Sequence, residues 1–141
     1  MTPEMLTKLR KSIVEHEKYC KFPYIDTVGK ITIGIGFNLT DRGIDDEWIN
    51  RQYQMDISFF YNKLSNFPWF IELNPDRQIA LIDMCFMGWQ KFLEFKEMIS
   101  AFEKHDYQKA AFEMLNSEWA KQVKGRAATL AQVILTGVYN I

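Results

Sequence analysis

The apolar positions of this chain follow a helical period over most of its length, with a change of period after residue 18. Thr2 and Pro3 form an N-cap followed by proline at the first helical position, which predicts a helix that runs to about residue 18. Its apolar positions recur three and four residues apart and so predict one apolar face. That face consists of Met5, Leu6, Leu9 and Ile13 and continues to Cys20.

Residues 19–44 follow a two-residue period instead. Residues 30–36, with the sequence KITIGIG, alternate and are bracketed by glycines, which predicts short antiparallel strands around a turn near residues 28–30. A further turn is predicted at residues 41–43. This segment is therefore expected to form a small sheet.

The rest of the chain is predicted to be helical. Asp45 or Asp46 caps a helix of about twenty residues. Asn74 and Pro75 begin a helix that has almost no polar face and ends at Gly88, as is usual for the buried centre of a bundle. Further helices are predicted at about 91–104, 107–116, 118–122 and 124–136, with Ser117 as an N-cap and Gly137 as a C′ residue.

These elements predict an α+β, mainly helical fold in which residues 1–141 form a single domain. A small front lobe of about residues 12–50 carries the β-hairpin. A long helix connects it to a helical lobe of about residues 65–141, to which the N-terminal helix adds. Two lobes imply a cleft between them, and clefts are where ligands bind.

The composition narrows the function classes. With 48% hydrophobic and 15% aromatic residues the chain can form a packed core, and its net charge of −1 gives no electrostatic reason to expect nucleic acid. No segment has the length of a membrane span or the apolar core of a signal peptide, so we expect synthesis in a cytoplasm and no membrane association. Cys20 and Cys85 are expected to be free thiols, and neither has the spacing of a metal site.

The candidate chemistry lies in residues 17–36. Eight residues separate Glu17 from Asp26, and five separate Asp26 from Thr32. Two carboxyl groups that face one bond from unequal environments are the minimum equipment for breaking a glycosidic linkage. No Ser/His/Asp order, phosphate loop or metal cluster accompanies them, and His16 and His105 are expected at solvated or helix-end positions.

Helical phase distinguishes Glu17 from its neighbour Glu15. At about 100° per residue, with Leu6 at zero, Glu17 falls near +20°, within the apolar face, whereas Glu15 lies about 180° away. Glu17 is therefore expected to lose solvation, which favours the protonated form that a general acid needs. Asp26, beside a turn and near the backbone amides of residues 27–28, is expected to stay ionised.

Thr32 lies on the alternating strand on the same side as Gly34, placed to position a water together with Asp26. Gly34 and Gly36 have no side chains and so allow a substrate or a neighbouring strand to approach the backbone closely. Each feature also has an ordinary structural interpretation: a buried Glu paired with an Arg, turn chemistry at an Asp-Thr before glycine, or a chance Gly-x-Gly. Their joint order and spacing favours a catalytic site.

In this order and spacing, residues 16–39 resemble the phage-type lysozymes, glycoside hydrolase family 24. The signature of that family is Glu, eight residues, Asp, five residues, Thr, followed by Ile-Gly-x-Gly, and it is complete here. The resemblance continues more weakly through most of the chain, although one family helix between the strands and the connecting helix is absent. The weaker matches are residues 80–82, Phe86, Ser117, Trp119, Arg126 and residues 136–137.

The resemblance implies a lysozyme-like two-lobe fold and a role for each residue. Glu17 would be the general acid that protonates the leaving oxygen between N-acetylmuramic acid and N-acetylglucosamine. Asp26 and Thr32 would hold or activate the attacking water, with inversion at the anomeric carbon. Arg126 stands where the family has an arginine that contacts the catalytic glutamate from the rear lobe. The substrate-lining positions of the family fall on Asn38 and Phe86.

The chain departs from the family pattern at the edges of the site. Lys18 stands where a glycine commonly follows the catalytic glutamate, and Phe37 stands where His or another polar residue is common. Residues 86–88, Phe-Met-Gly, are one residue shorter than the usual Phe-x-x-Gly. These differences bear on substrate details and rate more than on the class of reaction.

The leading interpretation is an endolysin that hydrolyses the β-1,4 bond of bacterial peptidoglycan and needs no cofactor or metal. We expect a monomer that stays in the host cytoplasm until a separate holin-type membrane protein gives it access to the glycan strands of the wall. Two alternatives remain. One is a lysozyme-fold binding or structural module without turnover, such as a phage particle component or an effector. The other is a lytic transglycosylase, which needs the glutamate but no water-directing aspartate.

Overall fold

The computed structural model describes residues 1–141 and confirms an α+β, mainly helical fold. The chain divides into two compact units, Met1–Gln52 and Tyr53–Ile141, and the N-terminal helix belongs to the first. In chain order the elements are α1 (Pro3–Glu17), β1 (Cys20–Ile25), β2 (Ile31–Gly34), β3 (Phe37–Asn38), α2 (Leu39–Arg42), α3 (Asp46–Leu64), α4 (Pro68–Ile71), α5 (Pro75–Met84), a 3₁₀-helix (Cys85–Met87), α6 (Trp89–Leu93), α7 (Lys96–Glu103), α8 (Tyr107–Leu115), α9 (Glu118–Val123) and α10 (Gly125–Thr136).

The helix ends confirm the capping predictions. Asp45, rather than Asp46, caps α3, because its Oδ1 accepts a hydrogen bond from the Trp48 amide at 2.7 Å. Gly137 ends α10 in the left-handed conformation that glycine adopts without steric cost. Five further side chains accept a hydrogen bond from the amide three residues later, and these are Thr2, Asn38, Asn74, Asp106 and Ser117.

The sheet of the first unit is antiparallel, with strand order β1-β2-β3. The pairing of β1 with β2 is irregular between Cys20 and Tyr24, where the register shifts. The register is regular again from Tyr24, which lies opposite Thr32. The turn near residues 28–30 is present, so the hairpin prediction is confirmed.

The apolar face of α1 is not a core face in this structure. The helix contains no buried residue, and its four apolar side chains, Met5, Leu6, Leu9 and Ile13, expose between 39% and 53% of their surface. The periodicity gave the helix correctly, but periodicity alone does not say what covers a face. All the buried hydrophobic side chains lie between Leu64 and Ile134, in the second unit.

The predicted helix at 91–104 is two helices, α6 and α7. On one continuous helix, Phe92 and Ala101 would point in opposite directions at about 100° per residue. The break between Leu93 and Lys96 turns the chain so that both residues are buried. Burial of both side chains is the physical reason for the interruption.

The core of the second unit forms where α5, α8 and α10 pack together. Helix α5 contributes buried Ala80, Leu81 and Met84 to this core, although its Ile79 is 50% exposed, so only part of its apolar surface is buried. None of the helices combines the length and the apolar character needed to cross a membrane. The largest fully buried side chains are Phe70, Phe92, Phe102, Leu64, Leu81, Met84, Met98, Met114, Leu130, Ile134 and Cys85.

Candidate functional site

The first unit holds the two predicted acids and the predicted hydroxyl on neighbouring segments. Glu17 is the last residue of α1, Asp26 directly follows β1, and Thr32 lies in β2. Helix α1 ends here because Lys18 takes a positive φ of 74°, while its amide still donates to the Val14 carbonyl at 2.9 Å. The chain therefore turns from the helix into β1 immediately after Glu17.

The carboxyl group of Glu17 lies against Gly36. A Cβ atom placed on Gly36 would be 2.6 Å from Glu17 Oε2 and 2.9 Å from Cδ, so only a glycine leaves room for the carboxyl group in this position. The prediction that Glu17 is desolvated is wrong: its side chain is exposed, because the apolar face of α1 is itself uncovered. Within its unit the carboxylate has no ion-pair partner, which also removes the buried Glu–Arg interpretation there.

Asp26 is held by the turn that follows it. Its Oδ1 accepts hydrogen bonds from the amides of Val28 at 3.0 Å and Lys30 at 2.8 Å. Its own amide donates to the Lys30 carbonyl at 2.8 Å, which closes the turn. The sequence correctly indicated the Val28 amide, but the second donor is residue 30 rather than residue 27. These bonds fix the carboxylate and leave Oδ2 free of backbone donors.

Thr32 is the buried polar residue of the sheet, with 4% of its surface exposed. Its hydroxyl lies 3.4 Å from Asp26 Oδ2 and 3.4 Å from the Lys30 carbonyl. A hydroxyl has one proton, so it donates to one of these acceptors at a time, and both distances exceed the usual 2.5–3.0 Å of an O–H···O bond.

One row of side chains crosses the three strands. Tyr24 lies directly opposite Thr32, and Thr32 lies directly opposite Asn38. Directly opposed residues project from the same face of a sheet, so the three side chains are neighbours. Thr32, on the central strand, is the middle of the row. The structure thus brings Asn38 next to Thr32, as a shared site requires.

The Asn38 amide group already has hydrogen-bond partners. Its Oδ1 accepts from the Asp41 amide at 3.0 Å, and its Nδ2 donates to Asp41 Oδ2 at 2.9 Å, which caps α2. Asp41 also pairs with Lys30, whose Nζ lies 2.8 Å from Oδ1. The hydrogen bond with Lys30 lowers the pKa of Asp41, and the same bond raises the pKa of Lys30. The substrate-binding role of Asn38 remains a prediction beside this structural one.

Gly34 and Gly36 flank the connection from β2 to β3, and both adopt positive φ angles, 69° and 64°. No atom lies within 4 Å of a Cβ placed on Gly34, in contrast to Gly36. Phe37, a departure from the family pattern, has the guanidinium of Arg42 4.3 Å from its ring centroid. The aromatic ring is therefore accommodated by a cation–π contact within the same unit.

Tyr24 was missed by the sequence reasoning. Its hydroxyl donates to the backbone carbonyl of Glu17 at 3.4 Å. Burial, followed by electrostatic interactions with Cys20, Glu17 and Asp26, raises the pKa of Tyr24. Its position two residues before Asp26, on the same strand face, was the available signal, but the register that sets it opposite Thr32 was not fixed by the sequence.

The two remaining predicted residues lie in the second unit. Phe86, which is 45% exposed, and Arg126 both line a cavity of about 630 Å³. The Arg126 guanidinium is bound by Asp83: Nε and Nη2 lie 2.8 and 2.6 Å from Oδ1, and Nη2 also donates to the Asp83 carbonyl at 2.8 Å. This pair joins α10 to α5. The expected contact of Arg126 with Glu17, a residue of the other unit, stays a prediction.

No group of three or more His, Cys, Asp or Glu side chains is arranged to hold a metal ion.

The chain is 34% identical over 110 residues to the pre-baseplate central spike protein Gp5 of Enterobacteria phage T4. The match covers 77% of this chain and 18% of the spike protein, and no family model matches. The chain therefore spans less than a fifth of the relative that it matches. The similarity relates it to one segment of a phage spike protein.

Proposed function

We propose that this chain contains a lysozyme-type glycoside hydrolase that cleaves the β-1,4 bond between N-acetylmuramic acid and N-acetylglucosamine in bacterial peptidoglycan. One observation carries the proposal. The Glu17 carboxyl, held against Gly36, belongs to the same small unit as an amide-bound Asp26 that has a threonine hydroxyl beside its second oxygen. The spacing of these residues matches the signature described above.

The two carboxyl groups have unequal surroundings. Asp26 Oδ1 accepts hydrogen bonds from two backbone amides, whereas the Glu17 carboxylate accepts no hydrogen bond from its own unit. Glu17 donates its proton to the glycosidic oxygen as the bond from C1 to that oxygen breaks. Asp26 Oδ2 and the Thr32 hydroxyl orient a water, which forms the new bond to C1 and gives its proton to Asp26.

The direct test is the clearing of bacterial cells from which the outer membrane has been stripped. Glu17→Gln keeps the size of the side chain but removes the acid, and loss of a general acid typically costs about 100- to 10,000-fold in rate. The matched control is Glu15→Gln, two residues away on α1 with the same change of charge. We expect the wild type and Glu15→Gln to clear the cells and Glu17→Gln to fail. Equal clearing by all three proteins would overturn the acid assignment.

Product analysis separates hydrolysis from transglycosylation. The proposed hydrolysis adds water and releases reducing muramic ends, whereas a lytic transglycosylase forms anhydro-muramic ends. Mass spectrometry of digested peptidoglycan distinguishes them by the mass of one water. Hydrolysis needs Asp26 to orient the attacking water, so Asp26→Asn is expected to lose activity. Full activity in that variant would favour transglycosylation, which uses no such water.

A second candidate is a phage particle component that binds the cell wall without turnover. It is favoured by the similarity to a spike protein, although that name applies to the relative. Peptidoglycan pulldown without release of reducing ends would support it. Detection of the chain in purified phage particles separates a particle component from an endolysin freed by a holin-type protein, since the endolysin is absent from particles.

A further inference from the structure

We infer that Tyr24 is a positioning residue: its hydroxyl fixes the C-terminal end of α1 and so the point from which the Glu17 carboxyl reaches Gly36. The catalytic consequence rests on the proposed function, whereas the geometric part does not. In the proposed hydrolysis, Tyr24 contacts neither the glycosidic bond nor the attacking water. It acts through the backbone of Glu17.

The end of α1 needs an external hydrogen-bond donor. The last four carbonyls of a helix have no partner within the helix, and the Glu17 carbonyl is one of them. The next residue, Lys18, has a φ of 74° and a ψ of 170°, a conformation that costs a residue with a Cβ atom about 1–3 kcal/mol. Glu17 is thus the point where the helix would fray. The Tyr24 hydroxyl, 3.4 Å from that carbonyl, is the side-chain donor nearest to it, at a distance as long as the contacts of Thr32.

Tyr24 lies directly after the irregular part of β1. The irregular pairing lies between Cys20 and Tyr24, and regular pairing resumes with Tyr24 opposite Thr32. Tyr24 is half-buried, whereas residues 21–23 are exposed. One side chain therefore connects the helix that carries Glu17 to the strand row that carries Thr32.

The surroundings keep this hydroxyl a donor. Burial comes first among the causes that raise its pKa, and electrostatic interactions with Cys20, Glu17 and Asp26 act in the same direction. The phenol is therefore protonated throughout the neutral range.

The test removes one oxygen atom. Tyr24→Phe is compared with Tyr19→Phe, which removes the same atom five residues earlier. Tyr19 is exposed, its ring lies 6.0 Å from the Arg10 guanidinium, and its hydroxyl makes no hydrogen bond. Three quantities are measured for each: kcat and KM on soluble peptidoglycan fragments, the thermal midpoint, and the order of the Glu17 side chain by NMR relaxation.

For Tyr24→Phe we expect kcat to fall about fivefold to tenfold with KM within about twofold, because one hydrogen bond and its alignment are lost. The Glu17 side chain should lose order in this variant alone. An unchanged kcat and an ordered Glu17 would overturn the inference. So would a lower kcat with Glu17 still ordered, or a loss that lies wholly in KM.

The inference and the proposed function fail separately. If the wild type hydrolyses no peptidoglycan, the proposed function fails, and the order of Glu17 alone decides the role of Tyr24. If Tyr24→Phe does not fold, the comparison is repeated in a Lys18→Gly background, where the end of α1 is free of strain. There the variant is expected to fold, and a fully ordered Glu17 would overturn the inference.

Discussion

Gly36 and Glu17 are in contact, nineteen positions apart in the chain. The candidate acid sits at the end of a helix, and the glycine lies in the connection between two strands. A Cβ at position 36 would lie 2.6 Å from Glu17 Oε2, closer than carbon and oxygen approach without a bond. The absence of a side chain at residue 36 therefore determines where the carboxyl group can be.

Gly36→Ala is expected to displace the Glu17 carboxyl and to abolish most of the hydrolytic activity. The displaced atoms are the flexible end of a side chain, so the stability cost should be mainly the about 1–2 kcal/mol of a positive φ. Gly34→Ala is the matched control, because Gly34 has a similar φ and empty space around it. We expect similar thermal midpoints, but a loss of about 100-fold in rate for Gly36→Ala alone. Equal rates for the two variants would contradict the contact.

Lys18→Gly is expected to stabilise the protein by about 1 kcal/mol, because glycine adopts a positive φ without steric cost. Lys18→Ala removes the same charge but keeps a Cβ atom, and it should give no such gain. Chemical denaturation of the three proteins measures the difference in unfolding free energy. If alanine stabilises as much as glycine, the lysine charge rather than the backbone conformation is responsible.

Thr32 variants should separate stability from activity. Thr32→Val keeps the shape and removes a hydroxyl whose contacts are 3.4 Å long, so it should change stability little and lower the rate strongly. Thr32→Ser keeps the hydroxyl but removes a buried methyl group, at a cost of about 1 kcal/mol. We therefore expect valine to be the more stable variant and serine the more active. If valine is the more active variant as well as the more stable one, the hydroxyl has no role in the reaction.

The Lys30–Asp41 pair should make the stability of the first unit depend on pH. Asp41 has a lowered pKa, chiefly from the hydrogen bond with Lys30, so its contribution is complete above its ordinary value of 3.8. That contribution is lost as the pH falls through the lowered pKa, because protonation breaks the pair. Thermal midpoints between about pH 2 and 5 should fall less steeply in Asp41→Asn than in the wild type. Asp46→Asn, at an exposed carboxyl on α3, should behave like the wild type.

A thiol reagent should modify Cys20 in the native protein and Cys85 only after unfolding. Burial raises the pKa of the Cys85 thiol to about 12, whereas Cys20 is half-buried at the start of β1. The thiolate is the reactive form, so a thiol reagent at about pH 8 should modify Cys20 in the native protein and Cys85 only after unfolding. Modification of both at one rate would show that the second unit opens readily. Cys20→Ser identifies which thiol reacts first.

The local features were predictable because they depend on neighbours within about four residues. Thr2, Asn74 and Ser117 cap helices, Gly137 ends one, and the hairpin turn lies where the glycines indicate. The spacing of the two acids and the threonine was likewise readable from the sequence. The split of 91–104 was not, because burying both ends of that segment depends on partners elsewhere in the chain.

The sequence by itself determined the helix and strand periods, the caps and the order of the candidate residues, since these are written in short-range patterns. Only the tertiary structure decided that the apolar face of α1 is exposed, that Gly36 meets Glu17, and that Asp83 binds Arg126. It also placed Tyr24 on the Glu17 carbonyl. The physical reason is the same in each case: these contacts join residues far apart in sequence or across a strand register, and no local preference specifies such a pairing.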